Sequence, residues 1–160
     1  MSIKKNGLKS FAVAAVIAMA SATASAEVVS AVTANGYHQL MDTPAPIGGM
    51  TSPVFKHSGG RLVAMYSSEC GASVAPQYSD RAIVDVNILV TNAADSQVVA
   101  TLSPSDGTSA FCSSGGAPGT FSTVGVSNLP PGTYRVSVRA RLSHERASGW
   151  MGARSLVVMR

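Results

Sequence analysis

Catalysis and metal binding require titratable or nucleophilic side chains that converge, and this sequence offers few. The histidines are His38, His57 and His144. His38 and Asp42 stand four apart in a stretch that reads as loop, a spacing that permits a metal ligand pair without specifying one. His144-Glu145 falls in a segment that reads as a hairpin loop, where a solvated pair is the expectation. No G-x-S-x-G supplies a nucleophile elbow, and no H-E-x-x-H supplies a zinc site. Asp85 and Asn87 could offer oxygens to Ca²⁺ from one strand face, but pairing of Asp85 with a cross-strand arginine is the simpler expectation. These residues point away from an enzyme and call for no cofactor and no resident metal.

The charge cluster of note is basic. Arg135, Arg139 and Arg141 recur at odd positions, with Arg146 and Arg154 following. Guanidinium forks match carboxylate and phosphate oxygens, so this row suits an anionic glycan or another cell-surface component. The same row could instead keep an exposed strand soluble. Trp150 is the only tryptophan, with Tyr37 and Tyr78 in segments that read as loops. An indole at a hairpin end serves either as a platform for a sugar ring or as a lid on a core. The candidate ligand-binding residues are therefore Arg135, Arg139, Arg141 and Trp150.

The elements that must position these residues follow a leader. Lys4, Lys5 and Lys9 precede an apolar run, Phe11 to Ala20, and Ala24-Ser25-Ala26 stand before Glu27. A basic head, a short apolar middle and an A-x-A end make a secretory signal peptide over residues 1–26. The apolar run is too short to cross a bilayer core of about 30 Å as a helix. No transmembrane segment is expected in the mature chain, residues 27–160, which reads as a single domain in the periplasm or outside the cell. Removing the leader takes three of the 12 basic residues and none of the eight acidic ones, leaving nine against eight. A nucleic-acid partner has no support at that balance. Cys70 and Cys112 are the only cysteines, and an even count in an exported chain reads as a disulfide.

Gly, Pro, Ser and Thr make up more than a third of the mature residues, and no window sustains an i, i+3, i+4, i+7 apolar pattern. Short alternating runs are read at about 28–33, 54–57, 61–68, 82–91, 97–102, 108–112, 120–126, 133–142 and 151–159. The expected fold is all-β: an antiparallel β-sandwich, jelly-roll or immunoglobulin-like, of about eight to ten short strands. Tyr134, Val136, Val138, Ala140 and Leu142 alternate with Arg135, Ser137, Arg139 and Arg141, which puts one face in a core and the other in water. Leu62, Ala64, Tyr66 and Cys70 share a parity that aims Cys70 inward, where a disulfide could join two sheets. Residues 34–53, crowded with Pro44, Pro46, Gly48, Gly49 and Pro53, read as an ordered crossing loop.

Residues 128–138, Asn-Leu-Pro-Pro-Gly-Thr-Tyr-Arg-Val-Ser-Val, resemble the turn-into-strand segment of CnaB-like and transthyretin-like sandwiches. Pro130-Pro131 stiffen the approach, Gly132 supplies the turn and Tyr134 drops into the core. The Lys–Asn isopeptide bond of many CnaB domains is not implied, because Lys56 is the only mature lysine and residues 150–160 hold no Asn or Asp. The wider succession of strands, through Asp85–Val90 to Ser155–Val158, is similar to uncharacterised bacterial exported β-sandwich proteins. These resemblances imply a fold. The function expected is a non-enzymatic binding or surface-adhesion module, with homo-oligomers open to it. The alternative is a pilin-like subunit in which Val28–Thr33 completes a neighbour's sheet, although position 159 is Met where pilins carry a penultimate Tyr. A small secreted hydrolase would need a nucleophile–base pair that the sequence does not show.

Overall fold

The computed structural model describes residues 26–75, 81–102, 110–114, 118–143 and 145–160. The expected signal peptide, apart from Ala26, lies outside the described residues, as do Tyr78 and His144. The described residues form eleven strands: β1 (Val28–Ala34), β2 (His38–Gln39), β3 (Ala45–Thr51), β4 (Phe55–His57), β5 (Gly60–Val74), β6 (Ile83–Asn92), β7 (Val98–Leu102), β8 (Cys112–Ser113), β9 (Gly119–Leu129), β10 (Gly132–Leu142) and β11 (Ala147–Met159).

Alternation turns these strands into layers. Along β10 the even residues from Tyr134 to Leu142 are buried, while Arg135, Arg139 and Arg141 are exposed. Each buried Val or Leu contributes about 1.5–3 kcal/mol, and a one-residue slip would turn all of them to solvent, which fixes the register. The first sheet runs β1-β11-β5-β9, with the short β2 also on β11. The second runs β3-β10-β6-β7, with β4 also on β10 and β8 on β6. All pairings are antiparallel. The sheets face one another across a core in which Leu62, Tyr66, Val86, Val136, Met151 and Leu156 are fully buried. The architecture is the expected antiparallel β-sandwich.

Cys70 and Cys112 form a disulfide that ties β5 of the first sheet to β8 of the second. Both ends are buried, and Cys70 shares the inward parity of Leu62, Ala64 and Tyr66. Such a bond is compatible with an oxidising compartment. Among the described residues no helix is long and apolar enough to cross a membrane.

Residues 34–53 differ from the expected loop, because β2 and β3 lie within them. Ile47 and Met50 are buried although three residues apart. Gly49 between them takes φ +77°, and the register of β3 against β10 shifts between Ser137 and Arg139. A kinked edge strand has no period of two to read. β1 pairs with β11 of its own chain from Val28 to Ala34.

Candidate functional site

The structure places the sequence candidates on opposite sides of the sandwich. Arg135, Arg139 and Arg141 stand on the outer face of the second sheet, opposite Thr91, Asn87 and Asp85 of β6. Arg141 Nε lies 3.3 Å from Asp85 Oδ2, and the Asp85 side chain is nearly enclosed. The expected cross-strand pair is therefore present. Among the described residues no group of three or more His, Cys, Asp or Glu could hold a metal. Arg135 and Arg139 have no carboxylate partner among the described residues. They stand four positions apart, about 13 Å along a strand.

Trp150 belongs to the other side. Met151 and Leu156 of β11 point into the core, so Trp150 stands on the outer face of the first sheet. Its cross-strand partners are Gly71 of β5 and Gln39 of β2. A Cβ on Gly71 would come within 2.7 Å of the indole Nε1, so the ring lies flat over the glycine. Tyr37 stacks on Trp150 with ring centroids 6.4 Å apart and planes 23° apart. Tyr37 is 71% exposed, leaving an aromatic surface open to solvent.

A bulge shapes the ground beside the indole. Cys70 pairs with Met151 and Ser68 with Arg154, so Gly152 and Ala153 together face Glu69. Ala153 N–H donates to Glu69 Oε2 at 3.2 Å. A side chain at Gly152 would strike the same oxygen and the Trp150 ring, which makes glycine the residue that fits. Two shallow cavities flank Glu69. One of about 320 Å³ is lined by Thr33, Ser67, Thr120 and Ser155 among others. The other, about 220 Å³, reaches from Glu69 and Thr120 to Pro118 and Trp150. Together they make a groove with hydroxyls along it, one carboxylate in the middle and an aromatic stack at one end. It can exchange hydrogen bonds and bury an apolar ring face; it holds no nucleophile–base pair.

Arg154 is a support for this groove and not part of the surface arginine cluster. It is 8% exposed and shares the inward side of β11 with Leu156 and Val158. Its Nε and Nη2 donate to Gly48 O at 3.1 and 3.0 Å, and Nη1 donates to Gly36 O at 2.9 Å and Gly152 O at 2.8 Å. One guanidinium thus binds the bulge beside Trp150 and the segment that carries Tyr37. Burial, and then the Arg154 charge, hold the His38 pKa below its ordinary 6.5. Burial pushes the Tyr66 phenol up to about 12, with Ser68 and Arg154 opposing. Tyr66 stays neutral in the core, where its hydroxyl lies 3.1 Å from Met151 Sδ.

No local sequence pattern marks Glu69, Gly71 or Gly152 as site residues. Arg154, expected with the surface arginines, is buried instead, and the parity it shares with Leu156 and Val158 is the sequence feature that could have marked it.

No family model and no curated protein matches the chain. Solved structures do. A structure of infectious bursal disease virus, Gx strain, is 12% identical with a TM-score of 0.51, over 81% of this chain and 31% of that one. The VP2 subviral particle of the same virus is 15% identical with a TM-score of 0.49, over 81% and 32%. The chain thus spans about a third of the length of these viral proteins. At such identity the likeness to the first is one of fold: it too supports a β-sandwich.

Proposed function

We propose that this chain is an exported, non-enzymatic binding module that holds a neutral glycan in the groove between Glu69 and Trp150. The observation that carries this reading is the stacked Trp150–Tyr37 pair at the end of a hydroxyl-lined groove. A sugar ring has an apolar C–H face and a rim of hydroxyls. The indole takes the face, and Glu69, Ser67, Thr120 and Ser155 take the rim. Glu69 and Arg154 both line the groove, so its formal charges balance, which favours an uncharged ligand there. The inter-sheet disulfide and the A-x-A leader support export.

The test is a glycan array followed by calorimetry on the hits. Trp150→Ala and Glu69→Ala should each weaken binding about tenfold or more, close to 1.4 kcal/mol, with an unchanged far-UV spectrum. Binding that survives both substitutions sinks the assignment. Arg135 and Arg139, exposed and without carboxylate partners among the described residues, support a second reading in which the opposite face holds an anionic glycan or another anionic cell-surface component. In that case binding would follow the arginines and weaken with salt.

A further inference from the structure

β9 is an edge. β5 pairs with it along one side, and among the described residues no strand pairs with the other. It runs 11 residues, Gly119–Leu129, without a charge or a proline. Its register against β5 is unbroken, so it has no bulge. Exposed edges ordinarily carry lysine, proline, a bulge or an inward charge, because an open row of amides and carbonyls recruits another strand. β9 carries none of these devices.

Its residues are also matched about their centre. Around Gly125, Val124 answers Val126, Thr123 answers Ser127, Ser122 answers Asn128 and Phe121 answers Leu129. Antiparallel pairing of two copies about a two-fold axis at Gly125 sets each of these residues opposite its own kind. The valines meet on the outer face. Thr123 meets Ser127, and Phe121 meets Leu129, on the inner one. Pro130 ends the pairing, since it has no amide hydrogen to give.

The neighbouring strands extend the match. Val126 lies beside Val63 and Met159, and Val124 beside Met65 and Val157. Met65, Val124 and Val126 are 42%, 49% and 53% exposed. The two-fold carries one apolar row into the other, giving stripes of six apolar side chains across the join. Arg61 sits beside Asn128 and Glu69 beside Thr120, at opposite ends of the β5 row. Reversal of the second copy continues the Arg61–Asn128 row into Ser122 and Ser67 of the other copy, so no like charges meet across the join.

We infer that β9 is a homodimerisation edge, through which two copies pair antiparallel about Gly125 into one continuous sheet eight strands across. An interface built on one edge strand is expected at the small end of the size range, so the dimer should depend on concentration. The inference does not depend on the glycan groove.

Sedimentation velocity on the exported, disulfide-bonded chain tests it. A monomer–dimer equilibrium is expected within about 1–200 μM. V124K/V126K changes two exposed side chains, so the fold stands by circular dichroism, while lysines meet across the axis and the dimer constant weakens tenfold or more. V124K/V126E places each new lysine opposite a new glutamate of the second copy and restores the dimer. A monomer throughout the range overturns the inference. So does a dimer indifferent to V124K/V126K, or one that V124K/V126E fails to restore.

Discussion

Arg154→Met is expected to lower stability by about 3 kcal/mol. The guanidinium is nearly enclosed and has no carboxylate beside it among the described residues; its contacts are four hydrogen bonds to the carbonyls of Gly36, Gly48 and Gly152. Bonds from a charged donor contribute about 1.5–3 kcal/mol each, and desolvating the cation costs several kcal/mol in return. Methionine removes both sides of that balance. What remains is three carbonyls at the edge of the sandwich without their donors, about 1 kcal/mol apiece with water in reach. For a chain of this length, 3 kcal/mol is a fall of about 12 °C in Tm. Arg154→Lys should lose roughly half as much, because one ammonium cannot reproduce the planar fork. Urea unfolding followed by Trp150 fluorescence measures the loss, since Trp150 is the sole tryptophan. The near-UV signal of the Tyr37–Trp150 stack should weaken with it, because Gly36 precedes Tyr37. An Arg154→Met protein as stable as the wild type, with an intact stack, would refute the reasoning. It would show that burying the cation costs as much as the three carbonyls gain.

Acid should destabilise the fold through His38. Its folded pKa lies below 6.5, so its contribution is complete above 6.5 and is lost as pH falls through the folded value. Urea midpoints at roughly pH 8 and pH 5 should therefore converge in His38→Gln, and an unchanged gap would refute this. Removing the disulfide by C70S/C112S should cost about 4 kcal/mol on the loop-entropy model, with Cys70 and Cys112 42 residues apart; a midpoint within error of the wild type refutes it. On the other face R135S/R139S should leave Tm within about 2 °C, whereas R141S should cost about 1 kcal/mol because the nearly buried Asp85 carboxylate loses an ion-pair partner. Equal effects of the two variants in thermal melts would refute that contrast.

The regular strands were legible because one side of each faces a core. The alternation of β10 and the inward parity of Cys70 follow from period two, and the structure keeps both. β3 was not legible because Gly49 and the shift opposite β10 break that period, leaving Ile47 and Met50 three apart. The groove was hidden for another reason. Glu69, Gly71 and Trp150 come together only through the register of β5 on β11, and Gly152 matters only because a bulge sets it against Glu69. No local pattern encodes a cross-strand neighbour 80 residues away. The arginine row was visible as a row, but its pairing with Asp85 at one end and its separation from Trp150 by the thickness of the sandwich were not.

That separation has a consequence for what the molecule can join. Two packed sheets stand about 10 Å apart, so a ligand lying on one outer surface cannot touch the other. The aromatic, hydroxyl-lined surface and the basic surface look in opposite directions and differ in chemistry. Occupying one leaves the other free, and salt screens the basic one while leaving the aromatic one largely untouched. The molecule therefore has two chemically unlike sides, and the Cys70–Cys112 bond between β5 and β8 ties together the sheets that carry them.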